Sequence, residues 1–339
     1  MSASASIPSA WEAMIISNQP ASVVWSAIFS RLGELALAST SPAALHRETI
    51  VPDRLLAEAA WDLWRSFPEA APKVVDALKA FWATPSNSAG CAVLILDGLS
   101  LRELPLIAAG ARKRGITPTS ISVRGSEVPS ETEGFAAALG LPTRAKLFNN
   151  QAPRSFIFAG ADVHTDVLAD PFADCVARVP HKPRVFLWHK WPDEPLIHLH
   201  ADRHDGDTVV AAETKRALAS DGFWSFVNAL RQGRRLLITG DHGYATTSDF
   251  SSEFKDEESI RLFAGYFGAQ RAIQEDPAQP WPRRHLPPPV LRFPRLAGGQ
   301  WLVVVGQRKW KVRGGSPSLC HRGLSLLEAA VPVIELPAL

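Results

Sequence analysis

Cysteine is scarce in this sequence: three residues, Cys91, Cys175 and Cys320, among 339. They form no Cys-x-x-Cys pair and no even framework, so a disulfide scaffold is excluded and a reducing compartment fits. Charge of one sign is also missing. Lys and Arg number 36 against 34 Asp and Glu, a net +2, which gives no reason to expect a nucleic-acid or acidic-membrane partner. No apolar run approaches the roughly 20 residues that cross a bilayer. The first residues, Met-Ser-Ala-Ser-Ala-Ser-Ile-Pro, lack a basic stretch followed by an apolar one, so no secretory signal is expected. The expectation is a cytoplasmic protein without a membrane partner. No internal repeat is visible.

What is present is globular in character, with 46% apolar and 21% charged residues. Residues 1–84 predict a helical N-terminal region. Trp25, Ile28, Phe29 and Leu32 recur at helical spacing, as do Leu56, Ala59, Ala60, Leu63 and Trp64. Pro52 and Pro72 stand where helices can start. This region holds no site-like cluster and reads as a cap or an interaction module. A turn-rich link, Thr84-Pro-Ser-Asn-Ser-Ala-Gly90, follows.

Strand and helix patterns then alternate. Strands are predicted at Cys91–Leu96, Ile121–Val123, Ser155–Ala159, Arg184–Trp188 and Arg235–Thr239. Helices are predicted at Leu101–Arg114, Glu131–Leu139 and Thr208–Gln232. Apolar strands alternating with helices predict an α/β fold, a central mostly parallel sheet with helices on both faces. Residues 249–298 lose this rhythm. Apart from a possible helix at Arg261–Phe267, prolines break them into an irregular insertion of the kind that forms a lid or binding loop. Trp301–Val305 and Trp310–Val312 predict an antiparallel hairpin, and Gly323–Ala330 a last helix that Pro332 bends or ends. The clusters Arg231, Arg234, Arg235 and Arg308, Lys309, Lys311, Arg313 read as solvated faces, with a phosphate-facing role as the alternative.

Chemistry concentrates at strand ends. Leu236–Tyr244 reads as a buried strand broken by Gly240-Asp241-His242-Gly243. Neighbours on a strand face opposite ways, so Asp241 and His242 reach one ion only if the backbone turns, which the two glycines allow. Asp97 ends the first apolar strand, where open sheets of this type bind ligands. Ser100-Leu-Arg-Glu103 supplies its own capping box, leaving Asp97 free for a metal. In Val128-Pro-Ser-Glu-Thr132, Ser130 and Glu133 read as another box, and Thr132 stands in the first turn, where unpaired amides suit phosphate oxygens. Asp193, His198, His200, Asp202, His204, Asp205 and Asp207 crowd behind a strand, and at least two of this group are expected to be ligands. His321 lies just ahead of the last predicted helix.

Taken in order, these segments resemble the alkaline phosphatase superfamily and, within it, the PglZ domain. The likeness covers about residues 90–339 and leaves the helices of 1–84 outside. Ile-Leu-Asp97-Gly-Leu is similar to its first strand and Val-Pro-Ser-x-Thr132 to its nucleophile segment. Ile-Thr-Gly-Asp241-His242-Gly-Tyr is similar to its Asp-His-Gly strand, and His321-Arg-Gly-Leu-Ser to its closing motif. There are departures: Ser100 stands where the family often has Arg, Arg322 stands where Gly is usual and would crowd a metal, and the Asp193–His198 spacing is one residue long. Asp202 or His204 remain alternatives to His198.

The resemblance implies a phosphoester hydrolase of phosphodiesterase type with two divalent ions, zinc first and manganese as the alternative. One ion would take Asp97, Asp241, His242 and the oxygen of Thr132, the nucleophile; the other would take Asp193, His198 and His321. It further implies a place in anti-phage defence systems such as BREX, with helices 1–84 docking on other defence proteins. Two other readings are a structural subunit that has lost catalysis, and a nuclease, which would need a basic channel at Arg283, Arg284 and Arg308.

Overall fold

The structure, a computed structural model, describes residues 10–84, 90–158, 163–193, 206–246, 250, 252–254, 256–282, 286–295, 298–312 and 319–339. Five helices come first: α1 (Ala10–Ile15), α2 (Ala21–Ala38), α3 (Pro42–Glu58), α4 (Trp61–Ala70) and α5 (Val74–Ala83). Next come β1 (Gly90–Asp97), α6 (Leu104–Lys113), β2 (Ser120–Gly125), α7 (Thr132–Ala138), β3 (Val163–Leu168), α8 (Phe172–Cys175) and β4 (Arg184–Pro192). Then follow α9 (Gly206–Ala219), α10 (Asp221–Arg231), β5 (Arg234–Gly240), β6 (Ala245–Thr246), β7 (Ser252–Glu253), α11 (Glu257–Phe267) and β8 (Ala272–Gln274). The remaining elements are β9 (Val290–Pro294), β10 (Gln300–Val304), β11 (Arg308–Lys309), β12 (Leu319–Cys320), α12 (Leu326–Ala329) and β13 (Ala330–Leu336).

Six strands form the main sheet in the order β2-β13-β5-β1-β4-β3. β1 runs parallel to β4 and β5, β3 is parallel to β4, and β13 is antiparallel to both β2 and β5. The expected α/β fold with a mostly parallel sheet is therefore present. Both faces of β1 are covered. Ala92, Leu94 and Leu96 enter one core with the aromatic side chains of α2 and α10. Cys91, Val93 and Ile95 enter a second core with α5 and α7. Burial on both faces is why β1 reads as an unbroken apolar run. α2 is apolar and long enough to pass for a membrane span by composition. Its Val24, Trp25, Ile28, Phe29 and Leu32 are buried against the sheet and α4, as in a core helix.

Several expectations need correction. The helix over 208–232 is two helices, because the Ser220 hydroxyl accepts the Phe223 amide (3.1 Å) and starts α10 afresh. Ser155–Phe158 is not a strand. Phe156 and Phe158 are buried, but the third strand is Val163–Leu168. Pro52 lies inside α3 instead of starting it. β10 pairs with β8 and β9, while Trp310–Val312 forms no strand. The last helix is only Leu326–Ala329, and Pro332 sits within β13. The run Ala330–Leu336 is apolar and buried apart from Glu335, a pattern that periodicity alone does not separate from a buried helix. Part of 249–298 is ordered as α11, β8 and β9, which share a third core of Phe263, Phe267, Trp281, Leu302 and Val304 with β10.

The basic cluster before β5 is structural. Arg234 donates to the carbonyls of Ala229, Leu230, Pro180 and Lys182, and Arg231 donates to Pro337. Arg283 and Arg284 lie outside the described residues, and Arg308 is half-buried with its Nε on the Val305 carbonyl.

Candidate active site

Asp97 ends β1 and is 2% exposed, while Asp241 and His242, just beyond the end of β5, are both fully buried. β1 and β5 are parallel neighbours with Leu96 opposite Gly240, so their carboxyl ends deliver these residues to one place. One ligand atom from each of Asp97, Asp241 and His242 lies within 4.8 Å of the other two. Gly240 and Gly243 serve a different purpose from the turn expected of them. Neither has a positive φ. A side chain on Gly240 would meet the Leu99 backbone at 2.8 Å, and one on Gly243 would meet the Leu327 carbonyl at 2.3 Å. They are small because neighbouring backbone passes over them.

Thr132 is the first residue of α7. Its Oγ1 donates 2.8 Å to Asp241 Oδ2, lies 3.2 Å from Asp97 Oδ1 and stands 3.5 Å from His242 Nε2. The capping expected of Ser130 is absent: the N-cap position of α7 is Glu131, and Ser130 instead donates to the Gly323 carbonyl at 2.8 Å. The Arg322 amide donates to the Ser130 carbonyl at 3.0 Å. The nucleophile turn and the His321 segment are thus tied together. Glu103 does accept the Ser100 amide at 3.0 Å, as a capping box requires, but α6 begins only at Leu104. The other oxygen of Glu103 accepts the Tyr244 hydroxyl at 2.5 Å, joining the loops after β1 and β5.

His321 stacks on His242 with ring centres 4.6 Å apart. Its Nδ1 is buried without a hydrogen-bond partner among the described residues. Burial first, and the neighbouring His242 second, push its pKa down to about 4, which keeps the ring neutral. Burial also works against charge on His242, but the Asp241 and Asp193 carboxylates outweigh it and the net shift is upward. Asp193 follows β4 directly. The β1–β4 register slips between Leu96 and Asp97, which pair with His189 and Pro192. That irregularity turns the end of β4 inward and brings Asp193 beside Gly98 at the cavity wall. His198, His200, Asp202, His204 and Asp205 lie outside the described residues, as does the side chain of Asp207. His189 is a core histidine. Its Nε2 meets the Asp170 carbonyl at 2.8 Å, its Nδ1 accepts the Trp191 amide, and burial lowers its pKa to about 4.

Several participants carry no motif. Arg144, the first residue of a 3-10 helix (Arg144–Asn150) that follows α7, pairs with Asp97 Oδ2. Only a charge count points to it, since two buried carboxylates need a cation. Arg322 has φ +83°, a conformation that favours the glycine usual at this point of the resembled motif. Its guanidinium does not crowd the carboxylates. It is turned to Glu131 Oε2 at 2.6 Å and to Gln270 at 3.3 Å. Arg144, Lys190 and Arg322 line a cavity of about 870 Å³ together with Asp97, Thr132, Asp193 and His321.

The donor set fits a divalent cation. His242 Nδ1 lies 2.9 Å from the Gly243 carbonyl, so Nδ1 carries the hydrogen and Nε2 presents a lone pair. That lone pair faces Asp97 Oδ1 and Asp241 Oδ2, each at 3.6 Å. These three facing acceptors share one hydroxyl proton, from Thr132. On their other oxygens Asp97 takes the Arg144 guanidinium and Asp241 the Gly98 amide at 2.8 Å, which offsets part of the burial cost; a cation among the three facing atoms would offset the rest. The His321 ring, stacked on His242, brings a further nitrogen, Nδ1, that has no partner among the described residues.

No family model matches the chain. No curated protein matches it either. Among solved structures, the chain is similar to the phosphonoacetate hydrolase of Sinorhizobium meliloti 1021, solved with phosphonoformate, over 74% of this chain and 91% of that one, at 14% identity and a TM-score of 0.42. It is similar to murine ectonucleotide pyrophosphatase / phosphodiesterase 5 over 74% and 88%, at 12% identity and a TM-score of 0.42. The human form of that protein gives 74% and 88%, 11% and 0.41. These likenesses are distant, and the chemistry of the site rests on its own geometry.

Proposed function

We propose that this chain is a metal-dependent phosphoester hydrolase of phosphodiesterase type, with Thr132 as nucleophile. The observation that carries the reading is the convergence of Asp97, Asp241 and His242 on the Thr132 hydroxyl. Asp97, Asp241, His242 and the Thr132 oxygen would hold one divalent ion; His321 and Asp193 would contribute to a second, with His198 completing it. Carboxylate and imidazole donors suit zinc or manganese. Bound there, such an ion lowers the pKa of a hydroxyl and stabilises charge on phosphoryl oxygens.

The residues' own tasks follow from the distances. Asp241 Oδ2 is placed to accept the Thr132 proton. Thr132 Oγ1 then bonds to phosphorus as the ester oxygen leaves, and water hydrolyses the resulting phosphothreonine. Arg144 and Arg322 stand at the cavity wall with guanidinium groups that can steady phosphoryl oxygens. By resemblance to the PglZ domain, we place the protein in an anti-phage defence system, with partners docking on the N-terminal helices.

The test is hydrolysis of a chromogenic phosphate diester and monoester, with zinc or manganese and with chelator. Diester turnover lost in chelator is expected, and Asp241→Ala should lose metal binding and turnover together. Full activity of Asp241→Ala would sink the scheme. Metal bound without turnover of either ester would favour a structural subunit.

A further inference from the structure

The helices of residues 10–84 reach the site through buried charge. Asp53, on α3, is 1% exposed. One carboxylate oxygen accepts the Leu326 amide at 2.8 Å and the other accepts Gln307 Nε2 at 2.7 Å. Leu326 is the first residue of α12. Lys73, at the start of α5, is also buried, with its ammonium over the Phe67 ring. It donates 2.8 Å to the Ser126 carbonyl. The Ser126 amide in turn donates 2.8 Å to the carbonyl of Ala329, the last residue of α12. Asp53 and Lys73 thus hold opposite ends of one four-residue helix.

That helix touches the site on both sides. The Glu328 carbonyl accepts the Gly243 amide at 3.0 Å, the residue next to His242. The Glu328 carboxylate accepts the Gly323 amide at 2.9 Å, two residues after His321, and is clamped by Arg271 at 2.7 and 3.0 Å. Packing alone would be served better by apolar side chains at positions 53 and 73, since burying a polar or charged group costs free energy that an aliphatic group does not. A fixed hydrogen-bond direction is what a carboxyl group and an amine add.

We propose that Asp53 and Lys73 are positioning residues of the site, setting His242 and His321 through α12, so that the N-terminal helices are part of the machinery and not only a docking surface. The metal-binding arm of the test rests on the function proposed above; a second arm does not.

The experiment uses the full chain. Zinc and manganese affinities are measured by calorimetry for wild type, Asp53→Ala, Asp53→Asn, Lys73→Met and Lys73→Arg. Near-ultraviolet circular dichroism reports the fold, and the ring resonances of His242 and His321 are followed by NMR without metal. Asn can still accept the Leu326 amide and Arg can still donate to Ser126. The expected result is a loss of affinity of about tenfold to a hundredfold in Asp53→Ala and Lys73→Met, the usual effect of removing support behind a ligand. Asp53→Asn and Lys73→Arg should recover most of it, and both ring resonances should move in the deleted variants only. Folded Asp53→Ala and Lys73→Met with wild-type affinity and unmoved resonances would overturn the proposal. If Asp53→Ala fails to fold, Lys73→Met against Lys73→Arg decides. If wild type binds no metal, the proposed function fails, and the ring resonances alone decide the positioning role.

Discussion

Replacing Gly243 by alanine tests the packing of the site directly. The added methyl would lie 2.3 Å from the Leu327 carbonyl oxygen, 3.1 Å from that of Ala330 and 3.2 Å from that of Glu328. All three are backbone atoms, so no side chain can rotate away. Ordinary contact requires the Asp241–Tyr244 segment and α12 to part by about 1 Å. Overpacking of this kind costs about 1–3 kcal/mol. The same movement stretches the bond from the Gly243 amide to the Glu328 carbonyl, and two buried groups left unpaired add about 1–3 kcal/mol. The expected destabilisation is about 2–6 kcal/mol. For 339 residues the unfolding entropy is about 0.7 kcal/mol per kelvin, so Tm should fall by about 3–8 °C in a calorimetric scan. Metal affinity should fall with it, because His242 moves with its neighbour. The control is Gly265→Ala. Gly265 lies in α11 with nothing within 4 Å of the new methyl, and alanine there should stabilise by up to about 1 kcal/mol. An unchanged Tm in Gly243→Ala would refute the close approach of α12.

Two further outcomes follow from buried charge. Burial raises the Asp53 pKa from 3.8 to about 7, so the folded state holds a proton that the unfolded chain releases. Stability from this residue is complete below about pH 3.8, declines as pH rises towards 7 and is flat above it, with a ceiling of about 4 kcal/mol. Urea unfolding at pH 5 and 7.5 should show wild type losing stability relative to Asp53→Asn, and parallel curves would contradict it. Arg271→Met leaves the Glu328 carboxylate, fully buried, without its partner and should cost about 3–5 kcal/mol in the same assay. Arg271→Met with Glu328→Gln together should recover part of that loss.

The sequence discloses the parts of the site that belong to strand ends. Asp97 and Asp241-His242 follow apolar runs whose length and composition already mark buried parallel strands. Thr132 opens a helix from a recognisable turn. The residues that stay hidden act across the chain. Arg144 meets Asp97 from 47 positions away, and Asp53 caps Leu326 across 273, separations at which no local pattern exists. Ser130 reads as a helix cap for the same reason, since its partner Gly323 is 193 residues distant. The error at β13 has a different cause. A short buried helix and a buried strand share one apolar composition, and Pro332 looks like a helix breaker until its neighbours are seen. There the Thr239 hydroxyl donates to the Pro332 carbonyl at 2.8 Å, and the ladder with β5 begins at Val333.

The place of β13 also dictates an order of events during synthesis. It lies between β2 and β5, yet of the six strands of this sheet it is the last to leave the ribosome. β2 ends at Gly125 and β13 begins at Ala330. At about 5–20 residues per second, β2 waits about 10–40 s for the strand that pairs with it. During that wait β2 and one side of β5 present open backbone edges, the features that invite pairing with another chain. Stopping translation short of residue 330 would therefore yield a nascent chain whose sheet is split, with α12 unanchored at its far end and the ligands of β1 and β5 not yet backed by it.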